Sequence, residues 1–201
     1  MIISHKYRFI FIKTLKTAGT SVEVYLSPHC GPGDILTTIK PPVAGHEARN
    51  QGRFYNHFSA WGVRQVVPPE IWSSYFKFCV ERNPWDKTVS DFCMLRHRSG
   101  GSLRFADYLS AGRFCRSWDL YTDMDNRTLL VDRVLRYEQL DRDLGEVFKQ
   151  QGIPWKGSLD VFAKSAYRTD RQPYRNWYSA AQQALIGQVF ADEIREFNYA
   201  F

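Results

Sequence analysis

The sequence predicts an α/β fold: a central parallel sheet flanked by helices in three layers. Two features predict it. Runs rich in aromatic and β-branched residues at 7–12 and 75–80 are each followed by a polar loop and then by apolar residues at helical spacing. Strands that alternate with helices build a parallel sheet covered on both faces, and such folds bind ligands beyond the carboxyl ends of their strands. The 201 residues, 44% apolar and 24% charged, suit one domain over 1–201 with its own core. That composition excludes a disordered, collagen-like or coiled-coil chain.

Residues 7–12 read as a buried strand that breaks into a loop at Thr14, Thr17 and Gly19. A helix is expected to start near Thr20, with Val22, Tyr25 and Leu26 at helical spacing, and to end at Pro28, Gly31, Pro32 and Gly33. The stretch 45–52 is polar and irregular. A short helix is expected over 59–65, broken by Pro68 and Pro69. In the second strand Phe76, Phe78 and Val80 alternate with Lys77 and Cys79. Pro84 suits the first position of the next helix, whose apolar stripe is Trp85, Val89, Phe92 and Cys93, and Gly100 with Gly101 ends it. The rest reads as a short helix over 103–109, short strands over 129–131 and 134–137, and a helix marked by Leu140, Leu144, Val147 and Phe148. A last long helix is capped by Ser179 and buries Leu185, Ile186, Val189, Phe190 and Ile194.

The formal net charge of +6 favours anionic partners: phosphates, sulfates or acidic glycans. The longest apolar run, 9–12, is far short of the roughly 20 residues that span a bilayer. Without a membrane span or a signal-peptide pattern, a cytoplasmic location is expected. Cys30, Cys79, Cys93 and Cys115 lie far apart with no CxxC pair, so neither a disulfide framework nor a metal site is expected.

Two loops leave strand ends, at 13–20 and 81–84. The first, with Ser21, places Lys13, Lys16, the hydroxyls of Thr14, Thr17, Thr20 and Ser21, and Gly19 between a strand and a helix start. Free N–H groups at a helix N-terminus, the helix dipole and a lysine suit a bound phosphate, and Gly19 would allow close backbone approach. It is not a Walker A loop, because its glycine follows the lysine instead of preceding it.

The second loop runs Arg82-Asn83-Pro84-Trp85-Asp86-Lys87-Thr88-Val89-Ser90. With it the chain resembles the sulfotransferases that use 3′-phosphoadenosine 5′-phosphosulfate, especially their carbohydrate and bacterial branch. Family members carry Lys-Thr-(Ala/Gly)-(Gly/Ser)-Thr-Ser after the first strand, matched by Lys16 to Ser21, and Arg-Asn-Pro-x-Asp-x-x-x-Ser after a later one, matched from Arg82 to Ser90. Asn56-His57-Phe58-Ser59-Ala60, Leu135-Arg136-Tyr137-Glu138-Gln139-Leu140, Tyr174-Arg175 and the closing Phe197-Asn198-Tyr199-Ala200-Phe201 extend the resemblance over most of the chain. Leu15 departs from it, standing where family loops commonly have proline.

The resemblance implies a P-loop-like sulfotransferase fold and sulfuryl transfer from that donor to an acceptor hydroxyl by in-line displacement, with adenosine 3′,5′-bisphosphate leaving and no metal required. Lys16 would meet the bridging oxygen and the 5′-phosphate, where charge develops, and Thr17, Ala18, Gly19, Thr20 and Ser21 would complete the cradle. Arg82 and Ser90 would take the 3′-phosphate, and Tyr174 and Arg175 would close over the nucleotide. His57 is the expected base, with His46 and His97 as competitors. Asn83 and Asp86 read as turn and helix-start residues, and Trp85 as a core residue.

The acceptor is expected to be a carbohydrate and acidic, since 96–116 holds five arginines against Asp107 alone. Trp61, Trp118 and Tyr121 are candidates to stack on its sugar rings. Two alternatives stand beside this reading. One is a P-loop nucleotide or small-molecule kinase, for which Leu129-Leu130-Val131-Asp132 imitates a magnesium-holding strand end. The other is a non-enzymatic nucleic-acid or polyanion-binding module, suited by the charge and by 15% aromatics. It does not explain anion-binding residues gathered at two strand ends. The acceptor hydroxyl and the oligomeric state stay open.

Overall fold

The computed structural model describes residues 1–159, 167, 168, 170 and 172–201. It has a mixed α/β fold with a central sheet flanked by helices, and the chain forms two compact units, Met1–Glu81 with Ser117–Ala163 and Arg82–Arg116 with Lys164–Phe201.

The first unit holds a five-stranded sheet of order β3-β1-β2-β4-β5, with β1 Ile2–Ser4, β2 Phe9–Phe11, β3 Ile35–Leu36, β4 Phe76–Glu81 and β5 Arg133–Arg136. The expected central parallel sheet is present and is extended by antiparallel strands. Strands β2, β4 and β5 run parallel, whereas β1 pairs antiparallel with both β2 and β3. The cause is loop length: residues 5–8 are too few for the crossover of a dozen or so that a parallel pair needs, so β1 and β2 close as a hairpin. Asp34 secures that hairpin by accepting from the Ser4 hydroxyl at 2.7 Å and from the His5 and Lys6 N–H groups at 2.7 and 3.2 Å.

Phe9, Phe11, Phe78, Val80 and Leu135 form the apolar face of the sheet. They pack with Val22, Tyr25 and Leu26 of α1 (Gly19–Leu26) and with Leu144, Val147 and Phe148 of the Leu140–Gln151 helix. Each such side chain contributes about 1.5–3 kcal/mol by burial. Ile3, Ile10 and Cys79, which alternate with them, are also fully buried, so the sheet is covered on both faces.

Helix α2 (Ala60–Val66) matches the expected short helix, and the Ser59 hydroxyl caps it by accepting from the Gly62 N–H at 3.1 Å. Pro69 does not end helical structure there; it opens α3 (Pro69–Ser74) from the first position, where its missing N–H costs nothing.

In the second unit α4 (Pro84–Arg98) starts on Asn83, whose side chain accepts from the N–H groups of Trp85 and Asp86 at 3.1 and 3.4 Å, as the sequence predicts. Helix α5 spans Phe105–Ser110. Back in the first unit, the short helix α6 (Trp118–Tyr121) was not predicted, 129–131 makes only an isolated bridge at Leu129, and α7 is Leu140–Gln151. The predicted last helix is two, α8 (Ala180–Val189) and α9 (Ala191–Phe197), which break at Phe190. Ser179 and Gln182 make a capping box for α8. Ile186 and Phe190 are buried against Trp85, Val89 and Phe92, while Leu185, predicted inside, lies at the surface. The four cysteines are free thiols. Among the described residues no helix is long and apolar enough to cross a membrane.

Candidate functional site

The first loop joins β2 to α1 at the carboxyl end of a parallel strand. Lys16 and Ala18 both take left-handed backbone angles, φ 60° and 61°. Ala18 sits at the N-cap of α1 and offers no side-chain cap, and the first turn holds no acid. The positive end of the helix dipole is therefore not neutralised by a cap or acid of the helix itself.

The loop's polar residues divide into two groups. Lys13 is buried and its ammonium lies 2.5 Å from Oε2 of Glu23, whose other oxygen meets the Met1 amino group. Burial alone would raise the Glu23 carboxyl, but these two cations outweigh it and hold it below its ordinary value. Lys13 is thus a structural cation, and Lys16 is half-buried. The hydroxyls of Thr14 and Thr17 meet at 2.7 Å, and Thr14 donates to the Val80 carbonyl, tying the loop to β4. A Cβ at Gly19 would stand 2.7 Å from Cγ of Lys13, so the glycine makes room for the lysine stem.

His57 is bonded to this loop. Its Nδ1 lies 2.9 Å from the Lys13 carbonyl, which only accepts; Nδ1 therefore carries the proton and Nε2 the lone pair in the neutral ring. Burial pushes its pKa down to about 4, against the opposing pull of the Lys13 carbonyl, so the ring is neutral at physiological pH. His46 instead places Nε2 2.9 Å from the Thr37 carbonyl, and His97 is exposed in the last turn of α4 beside the Tyr167 ring. Of the three histidines, the structure brings His57 to the first loop.

A cleft of about 540 Å³ opens beside the loop, lined by Ala18 and Ser21 and by Tyr137, Glu138, Gln139 and Arg142 beyond the carboxyl end of β5. This is the end at which parallel sheets hold ligands.

In the second unit Arg82 donates through Nε and Nη2 to Oδ2 of Asp86 at 2.8 and 2.6 Å. Ser90 follows Asp86 by four residues and shares its face of α4. Arg168, which sequence reasoning missed, donates through Nη1 to the other oxygen of Asp86 at 2.6 Å. Burial would raise the Asp86 carboxyl, but Arg82 and Arg168 prevail and hold it below its usual range. Asp86 is thus more than the helix-start residue the sequence predicts. The Tyr174 hydroxyl accepts from Asn83 at 3.4 Å, and the Arg175 guanidinium lies 4.9 Å above the Tyr174 ring.

Two further expectations change. Asp132 lies at the amino end of β5, bonded to the Lys77 N–H at 2.7 Å and to its ammonium at 3.0 Å. It is a strand-pairing residue at the wrong end of the sheet to hold magnesium for a kinase. Trp118 and Tyr121 are buried, with Trp118 donating to the Asn126 carbonyl and Tyr121 to Glu81, so neither stacks on a sugar; Trp61 stays partly exposed. Within the basic stretch, Arg104 is paired with Asp107 and Arg116 lies near Asp192.

The fold is similar to that in the crystal structure of mouse sulfotransferase SULT7A1 complexed with PAP, at a TM-score of 0.54 and 14% identity over 96% of this chain and 86% of that one. In sequence the chain is 32% identical over 111 residues, 53% of this chain and 91% of the relative, to an uncharacterized protein of Archaeoglobus fulgidus, and it belongs to that protein's family. No family model matches the chain.

Proposed function

We propose that the protein, acting as one domain over 1–201, is a sulfotransferase that moves the sulfuryl group of 3′-phosphoadenosine 5′-phosphosulfate to an acceptor hydroxyl, without an obligatory metal. The observation that carries this reading is the start of α1, where Lys16 and Ala18 take left-handed backbone angles and no side chain caps the helix, with His57 anchored to the same loop. The donor supplies a sulfuryl group on a good leaving group, a phosphate. The acceptor oxygen forms a bond to sulfur as the bond from sulfur to the 5′-phosphate oxygen breaks, and adenosine 3′,5′-bisphosphate departs.

The chain's residues fit such a group. Lys16 neutralises charge on the departing 5′-phosphate oxygen, and the N–H groups of Thr17 to Ser21 hold the phosphate against the dipole of α1. Nε2 of His57 takes the acceptor's proton while Nδ1 stays on the Lys13 carbonyl. Arg82 and Ser90 hold the 3′-phosphate, and Tyr174 and Arg175 close over the nucleotide. The excess of arginine over 96–116 supports a carbohydrate acceptor with acidic groups, and a cytoplasmic site of action goes with this reading.

Calorimetric titration with adenosine 3′,5′-bisphosphate, with and without magnesium, tests the proposal. Sub-millimolar affinity that magnesium does not change is expected. An absence of binding, or binding only with magnesium, rejects it.

A further inference from the structure

Lys16 stands in the left-handed region, φ 60°, which a residue other than glycine holds only where its surroundings fix it. The residues on either side are fixed. The hydroxyls of Thr14 and Thr17 meet at 2.7 Å across Lys16, and Thr14 is tied to the Val80 carbonyl of β4. Between them the Leu15 N–H donates to Oγ of Ser117 at 3.0 Å, a bond that spans 102 residues of sequence. A proline at this position would have no such N–H. Ser117 is fully buried and stands at the N-cap of α6. A serine there ordinarily accepts from an N–H of its own helix, but Ser117 makes no such cap. Its hydroxyl serves the first loop instead. Helix α6 is itself anchored: Tyr121, fully buried, donates to Glu81 at the end of β4 at 3.0 Å, and Trp118 donates to the Asn126 carbonyl at 2.9 Å.

We propose that Ser117 is a positioning residue for the first loop: by accepting from the Leu15 N–H, its hydroxyl fixes the path of the chain into Lys16. The proposal rests on the proposed function, which gives the 5′-phosphate to Lys16 and to the N–H groups that follow it. With the hydroxyl in place the left-handed turn is set before a nucleotide arrives, and binding does not have to order it. Without it the Leu15 N–H loses its acceptor, the turn loosens, and each binding event must restore it.

Amide hydrogen exchange and calorimetry on the full chain test this. In the wild type the Leu15 amide is expected to exchange at least about tenfold more slowly than an unprotected one. Adenosine 3′,5′-bisphosphate is expected to bind at least about tenfold more tightly than adenosine 3′-monophosphate. Ser117→Ala removes the acceptor, whereas Ser117→Cys keeps nearly the same volume and offers only a weak one. In both variants the Leu15 amide is expected to exchange faster and the preference to fall by about threefold to tenfold, with the 3′-monophosphate affinity unchanged. An unchanged preference in Ser117→Ala overturns the proposal, and so does a Ser117→Cys variant that matches the wild type, which would assign Ser117 to packing. A wild-type Leu15 amide that exchanges as an unprotected one overturns it with no variant needed, should either fail to fold. A wild type with no preference for the bisphosphate overturns the proposed function instead, and the exchange of Leu15 still decides whether Ser117 holds the loop.

Discussion

The Nδ1–H of His57 donates to the main-chain carbonyl of Lys13 at 2.9 Å, joining residues 44 apart in sequence. The bond sets the tautomer, leaves Nε2 as the basic atom, and anchors the ring to the loop that carries Lys16. His57 holds this position with a left-handed backbone, φ 62°, which is uncommon outside glycine.

His57→Asn separates the two roles. An asparagine amide can still donate to the Lys13 carbonyl but supplies no base. Turnover is expected to fall at least about 10²-fold, with affinity for adenosine 3′,5′-bisphosphate held within about twofold. Equal losses of turnover and binding would show that the histidine serves only the loop.

The pH profile carries the imprint of burial. With His57 at about 4, the acid limb of kcat/KM is expected near pH 4 and not at the ordinary 6.5. Stability follows from the same shift. Between 6.5 and 4 the unfolded chain takes up a proton that the folded protein refuses, so His57's contribution is fully present above 6.5 and declines as pH falls to 4. Urea midpoints across that window, wild type against His57→Asn, measure it.

Lys16→Ala removes the half-buried ammonium to which the proposed function gives the leaving group. Turnover is expected to drop about 10²–10³-fold. The melting temperature should hardly move, since a partly exposed side chain of this kind contributes within about 0.5 kcal/mol of stability. An active variant would assign the charge stabilisation elsewhere.

Gly19→Ala tests the packing under the loop. Its Cβ would stand 2.7 Å from the Lys13 stem, and the ion pair with Glu23 keeps that stem from swinging away. A loss of about 1–3 kcal/mol by thermal or urea unfolding is expected. An unchanged midpoint would mean that Lys13 relaxes freely.

Glu23→Gln leaves Lys13 and the Met1 amino group buried without their shared counter-ion. The expected cost is about 3–5 kcal/mol, read from the urea midpoint.

Local features were legible because neighbours a few residues apart encode them. The Asn83 cap, Pro84 at the start of α4, the Ser179 capping box and the strand-loop-helix order all follow from short-range torsional and hydrogen-bonding preferences. The loops that carry Lys16 and Arg82 stood out for the same reason. The hairpin of β1 and β2 was also legible in principle, from the few residues between them.

What the sequence by itself determined, then, was where the polar loops leave the strands and which residues could serve an anion there. The tertiary structure alone decided which of them are spent inside the fold: Lys13 on Glu23, Asp132 on Lys77, and Trp118 and Tyr121 in the interior. It alone placed His57 on Lys13 and Arg168 on Asp86, 82 residues away. Burial and ion pairing depend on distance in space, and neither periodicity nor spacing along the chain carries that distance for residues so far apart.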